Sequence, residues 1–182
     1  MKKTTWIICL VATVAMASLS SCKKEGTPTI DTIPPIMTLQ ITGGGTNKTF
    51  LSTDDYSGGQ FNMKPLTKYR FTLGISDTGG VKSLELRLPT LFSAMTVSSV
   101  PVAAERVTSN TKYYTINSSQ DTTTYYKSYL MTGEFVTPDA ANTSYALGLL
   151  ALGRDFRPNQ SSLSINLDIS NNPVGGYGWV LF

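Results

Sequence analysis

Tyr69, Phe71, Leu73 and Ile75 alternate with Arg70, Thr72, Gly74 and Ser76. A repeat of two places four large apolar groups on one face of an extended strand and leaves the other face polar, whereas a helix would scatter them around its axis. The same period recurs at Met37, Leu39 and Ile41, at Leu84, Leu86 and Leu88, and at Leu163, Ile165, Leu167 and Ile169. Helical spacing is nearly absent beyond the first 20 residues, so the chain is predicted to be all-β. Gly43, Gly44 and Gly45 predict a hairpin turn, and Asp77-Thr78-Gly79-Gly80 predicts a second hairpin joining the strand that ends at Ser76 to the one that begins at Val81. The run at 145–152 (YALGLLAL) is almost continuously apolar, the pattern of a central strand buried on both faces, and 153–160 follows as a polar loop. Residues 90–141 contain Tyr- and Thr-rich runs at 96–103, 112–117, 124–132 and 133–137, whose order and pairing the pattern leaves open.

The amino terminus carries an address. Lys2 and Lys3 precede an apolar stretch at 4–19 that is too short and too weakly flanked for a permanent membrane span, and it stops at Leu19-Ser20-Ser21-Cys22. This end resembles bacterial lipoproteins, whose lipobox is an apolar residue, two small residues and a Cys. The resemblance implies cleavage before Cys22, a diacylglycerol on its sulfur and an acyl chain on its new amine, which together anchor a protein far more firmly than one chain does. The expected organisation is a lipoprotein signal peptide at 1–21, the lipidated Cys22 with a Pro-bearing flexible tether at 22–34, and one folded domain at 35–182. The expected address is the cell envelope of a Gram-negative bacterium, at the outer membrane. Charged residues directly after Cys22 resemble the surface-export signals of Bacteroidetes lipoproteins, but those favour acids where this chain has Lys23 and Lys24, so the leaflet face stays open. Asp31-Thr32-Ile33 and Asp121-Thr122-Thr123 are similar to the O-glycosylation motif of the same phylum, and three matching residues are read as chance.

Asp31-Thr32-Ile33-Pro34-Pro35 ahead of the first strand, the turn in Ile75-Ser76-Asp77-Thr78-Gly79-Gly80-Val81 and the Tyr-led strand from Tyr145 toward Asn159 together resemble bacterial Ig-like domains. The resemblance covers about half of the mature chain and implies an Ig-like antiparallel β-sandwich. Such domains need about 100 residues. Removing 21 of 182 residues leaves 161, so extra strands or loops are expected, most of them in 90–141.

The residues that are missing narrow the chemistry. There is no His, which excludes Ser-His-Asp triads, His acid–base catalysis and His-ligated zinc. Cys9 leaves with the signal and Cys22 is acylated, so the folded domain has no disulfide, thiolate nucleophile or Cys metal site. Loss of Lys2 and Lys3 takes 15 basic side chains to 13 against 12 acidic ones, and a near-neutral domain has no electrostatic reason to seek nucleic acid. Asp77, Glu134, Asp139 and Asp155 are conceivable members of a glycosidase pair, but each sits beside Gly, Pro or Asn, where acids serve turns. Asp54, Asp55 and Asp77 could offer oxygen to calcium without the dense acidic spacing of a site, so neither metal nor cofactor is expected.

Aromatic residues are the remaining signal. Tyr113, Tyr114, Tyr125, Tyr126 and Tyr129 lie among Ser, Thr and Asn. Those of Tyr114, Tyr125 and Tyr129 that face outward would make a recognition patch for a sugar or a protein. The competing reading is that adjacent tyrosines point to opposite sheet faces, one of them into the core. The terminal run 175–182 is expected to dock as a last strand with a buried Trp179. The expectation is therefore a lipid-anchored, non-enzymatic binding or scaffold module that recognises a glycan or another envelope protein. An assembly subunit acting through edge-strand pairing is the first alternative, and a carboxylate-based glycan-processing enzyme is the last.

Overall fold

A computed structural model describes residues 32–118, 126–140, 145–156 and 159–182. The expectations at Leu19, Ser20, Ser21, Cys22 and Tyr125 lie outside the described residues. Within them the chain forms twelve strands and no helix: β1 (Ile36–Gly43), β2 (Thr46–Leu51), β3 (Gly59–Met63), β4 (Lys68–Ser76), β5 (Val81–Pro89), β6 (Ser93–Val100), β7 (Ala104–Val107), β8 (Thr111–Asn117), β9 (Ser128–Val136), β10 (Tyr145–Asp155), β11 (Gln160–Ile169) and β12 (Gly178–Leu181). They build two sheets, one of five strands in the order β2-β1-β4-β9-β6 and one of seven in the order β12-β3-β11-β10-β5-β8-β7. The fold is an all-β sandwich with five strands more than the seven of a minimal Ig-like domain.

The alternation read from the sequence fixes what lies between the sheets. Met37, Leu39 and Ile41 on β1 stand opposite Ile75, Leu73 and Phe71 on β4, and all six are buried. Leu84, Leu86 and Leu88 on β5 and Leu163, Ile165, Leu167 and Ile169 on β11 close the core from the other side. Each such side chain contributes about 1.5–3 kcal/mol on leaving water. The β1–β2 hairpin turns at Gly44 and Gly45, whose φ angles of +59° and +86° suit a two-residue primed turn that matches the twist of the flanking strands.

Several expectations are corrected. β4 and β5 do not form a hairpin: β4 lies between β1 and β9 in one sheet, and β5 lies between β10 and β8 in the other. Alternation says which face of a strand is buried, and both sheets bury a face in the same core, so it cannot say which sheet a strand joins. The Asp77–Gly80 turn is a crossover, tied down by Asp77 N–H donating to the Lys127 carbonyl (3.0 Å) and Val81 N–H to that of Tyr126 (2.8 Å). β10 is central but is not buried on both faces: Leu149 and Ala151 face the core, while Leu150 and Leu152 are only half-buried on the outer side and Gly148 is exposed. The sandwich is not wholly antiparallel either, because β11 runs parallel to β3 through Leu167 opposite Phe61. Trp179 is half-buried rather than buried, packed edge-on against Phe50 and Tyr56 with ring centroids 5.5 and 5.3 Å apart. The runs left open in 90–141 divide between the sheets, β6 and β9 joining one and β7 and β8 the other.

Candidate functional site: the outer face of the seven-stranded sheet

Two of the three tyrosines considered for an outward-facing patch point inward. Tyr114 stands opposite Leu86 on the same strand face as Ile116 and is buried. Its hydroxyl donates to Glu105 Oε1 (3.1 Å), and burial, reinforced by that carboxylate, pushes its pKa up to about 12. Tyr129 stands opposite Ile75, shares its face with Met131 and Phe135, and is buried as well. Both therefore belong to the core, and the outward-facing patch assigned to them is corrected: their apolar strand partners decide the parity. Tyr113, the neighbour of Tyr114, is half-buried on the outer side of β8, and Tyr126 is exposed.

Tyr113 is the centre of a cross-strand row. Arg106 on β7 and Arg87 on β5 stand directly opposite it on either side, and beyond Arg87 the row continues through Leu150 on β10 to Ser164 on β11. The Arg106 guanidinium lies 3.8 Å from the Tyr113 ring centroid and that of Arg87 lies 5.3 Å away. Such contacts hold an aromatic ring and two cations in one arrangement. Arg87 Nε also donates to Glu85 Oε1 (2.6 Å), whose second oxygen accepts from the Thr115 hydroxyl (3.3 Å). Arg106 has no ion pair among the described residues. A parallel row runs through Ala104, Thr115, Glu85, Leu152 and Ser162. With strands about 4.8 Å apart, five of them span about 19 Å of open sheet surface. Its far end meets a shallow pocket of about 360 Å³ between the β2–β3 loop, at Asp54, Asp55 and Ser57, and Ser162, Ser164 and Asn166 of β11.

The carboxylates are engaged elsewhere. Glu134 lies on the outer face of the other sheet, where Lys68 (2.8 Å) and then Arg70 (3.7 Å) hold its carboxyl below the usual range. It stands opposite Arg70, six positions along β4 from Ser76, so about 20 Å of strand separates it from Asp77. Asp77 Oδ1 accepts from Gly79 N–H (2.7 Å), and the buried Asp155 accepts from the Asn159 amide (2.8 Å). Asp54 accepts from the Tyr56 hydroxyl (3.0 Å), and the Ser57 N–H on Asp55 (2.9 Å) lowers the Asp55 pKa. Among the described residues no three His, Cys, Asp or Glu side chains are grouped to hold a metal. The face can offer guanidiniums held by an aromatic ring and hydroxyl hydrogen bonds, and it buries little apolar area. Sequence reasoning missed Arg87, Arg106 and Leu150. The signal for Arg87 was present, since it alternates with the core-facing Leu86 and Leu88.

No family model matches the chain, and no curated protein matches it. Among solved structures it is similar to a non-cellulosomal cohesin from the hyperthermophilic archaeon Archaeoglobus fulgidus, with a TM-score of 0.36 and 16% identity over 62% of this chain and 88% of that one.

Proposed function

We propose that the protein is a lipid-anchored cell-envelope module that binds a glycan through the outer face of its seven-stranded sheet and does not process it. The anchor follows from the leader and the Leu19-Ser20-Ser21-Cys22 lipobox. The binding reading is carried by one observation, Tyr113 held between the guanidiniums of Arg106 and Arg87 in a cross-strand row that runs on to Leu150 and Ser164. Sugars present hydroxyls that bond to guanidinium and hydroxyl groups, the Tyr113 ring holds the two guanidiniums in place, and an open strand face admits a long chain. The test is retention of the detergent-solubilised protein on a panel of immobilised envelope and extracellular polysaccharides. Tyr113→Ala and Arg106→Ala are each expected to weaken retention about tenfold, equivalent to about 1.4 kcal/mol. Retention on no polysaccharide, or retention unaffected by both substitutions, rules the reading out.

A second reading rests on β6. It is an eight-residue edge strand (SAMTVSSV) with no charged side chain, whereas the other edges carry Lys48 on β2, Glu105 and Arg106 on β7, or only four residues on β12. Charge, shortness and bulges are the usual guards of a sheet edge; the pairing of β6 with β9 shifts register between Ser93 and Thr96, which leaves 96–100 as the regular, uncharged stretch that admits an added strand from another chain. Under this reading Ser98→Lys dissolves a co-purifying complex and leaves glycan retention intact.

A further inference from the structure

The outer face of the five-stranded sheet carries an apolar patch at the end where the described chain begins. Ile33, Ile36, Leu130 and Val100 are 65, 48, 54 and 87% exposed. Ile33 and Ile36 line a trough of about 550 Å³ together with Lys127. Ile36, Leu130 and Val100 line an adjoining one of about 510 Å³. Its floor is Gly74, which stands between Thr38 and Leu130 and has no side chain to fill the row. The one carboxylate lining this trough pair, Asp77, is mostly buried and accepts the Gly79 N–H.

We propose that this patch rests on the phospholipid bilayer that holds the lipid anchor, an inference that depends on the anchor reading above. Only nine residues, or ten Cα–Cα steps, separate Cys22 from Thr32. Fully extended they reach about 36 Å, and as a flexible coil their root-mean-square span is about 17 Å. A patch at the root of so short a tether meets the membrane at high effective concentration. Its apolar side chains leave water on reaching the interface, and Lys127 at its rim faces anionic headgroups. The two outer faces of a sandwich look in opposite directions. Docking by this patch therefore turns the Arg106–Tyr113–Arg87 row away from the membrane, where a polysaccharide can reach it.

The chain contains two cysteines, one in the leader and one acylated, so an introduced cysteine is a unique thiol in the mature protein. Val100→Cys and Leu130→Cys, and Ser164→Cys on the opposite face, are labelled with an environment-sensitive dye in the lipidated full-length protein, reconstituted sparsely in vesicles of phosphatidylcholine and phosphatidylglycerol. Dyes at 100 and 130 are expected to shift to the blue and to be quenched several-fold more by nitroxide-bearing lipid than the dye at 164. Unshifted emission at both positions, with the protein still held by the vesicles, overturns the membrane contact and leaves the anchor standing. A blue shift that lipid-borne nitroxide does not quench assigns the patch to a second copy or another protein, and overturns it too. Release of the protein from the vesicles overturns the anchor reading and the contact together.

Discussion

The side-chain amide of Asn62 donates to the carbonyl of Gly176 at 2.7 Å, from a residue with no exposed surface in β3 to a turn near the end of the chain. The same nitrogen donates to the Val174 carbonyl (2.9 Å), and Asn62 Oδ1 accepts from Gln60 (2.7 Å). One buried side chain thus fixes the loop that delivers β12 to its edge position. Asn62→Ala leaves these partners unmet and is expected to cost about 2 kcal/mol. Urea titration reads this as a lower midpoint with an unchanged slope.

Gly133 is where β9 lets β6 approach. A Cβ there would collide with the Thr96 carbonyl and with the Phe71 ring. The carbonyl is backbone and cannot swing aside, so Gly133→Ala is expected to destabilise by about 2–3 kcal/mol and to loosen β6 first. Hydrogen exchange would show β6 amides losing protection ahead of those in β1 and β4.

Tyr114 gives the fold an alkaline limit. Its pKa rises from an ordinary value near 10 to about 12 in the folded chain, so the neutral phenol is the form that the fold favours. Stability from this group is complete below pH 10 and is lost as pH rises toward 12. Tyr114→Phe removes the Glu105 hydrogen bond at a cost of about 0.5–1 kcal/mol near neutrality, and should flatten the fall in thermal midpoint above pH 10.

Cys22 is expected to carry the anchor. Cys22→Ala should abolish acyl incorporation and leave the leader uncleaved, seen as a heavier intact mass without acyl groups, while the circular dichroism of its β-domain is unchanged. An acyl-modified Cys22→Ala protein would place the attachment elsewhere.

What the sequence disclosed follows from what alternation encodes. It placed β1, β4, β5 and β11 and the buried face of each, because an apolar residue at every second position has one stable orientation against a core. It left open which sheet each strand joins, and turn chemistry at Asp77–Gly80 misdirected the pairing, since the same residues serve a hairpin and a crossover. At Tyr113 and Tyr114 two equal aromatics compete for the core, and the tie is broken by Ile116, two positions after Tyr114, and by Thr115, two after Tyr113. That signal was readable. The stack of Arg106 on Tyr113 was not, because it depends on β7 and β8 pairing in a segment whose periodicity is weak.

β3 has as its ladder neighbours β11 and β12, and Phe61 stands opposite both Leu167 and Trp179. A chain that emerges amino end first exposes β3 long before either partner exists. β3 therefore joins its sheet only through partners that lie about 100 residues further along the chain, which makes the closing of this sheet edge a contact of high sequence separation and a late step in folding.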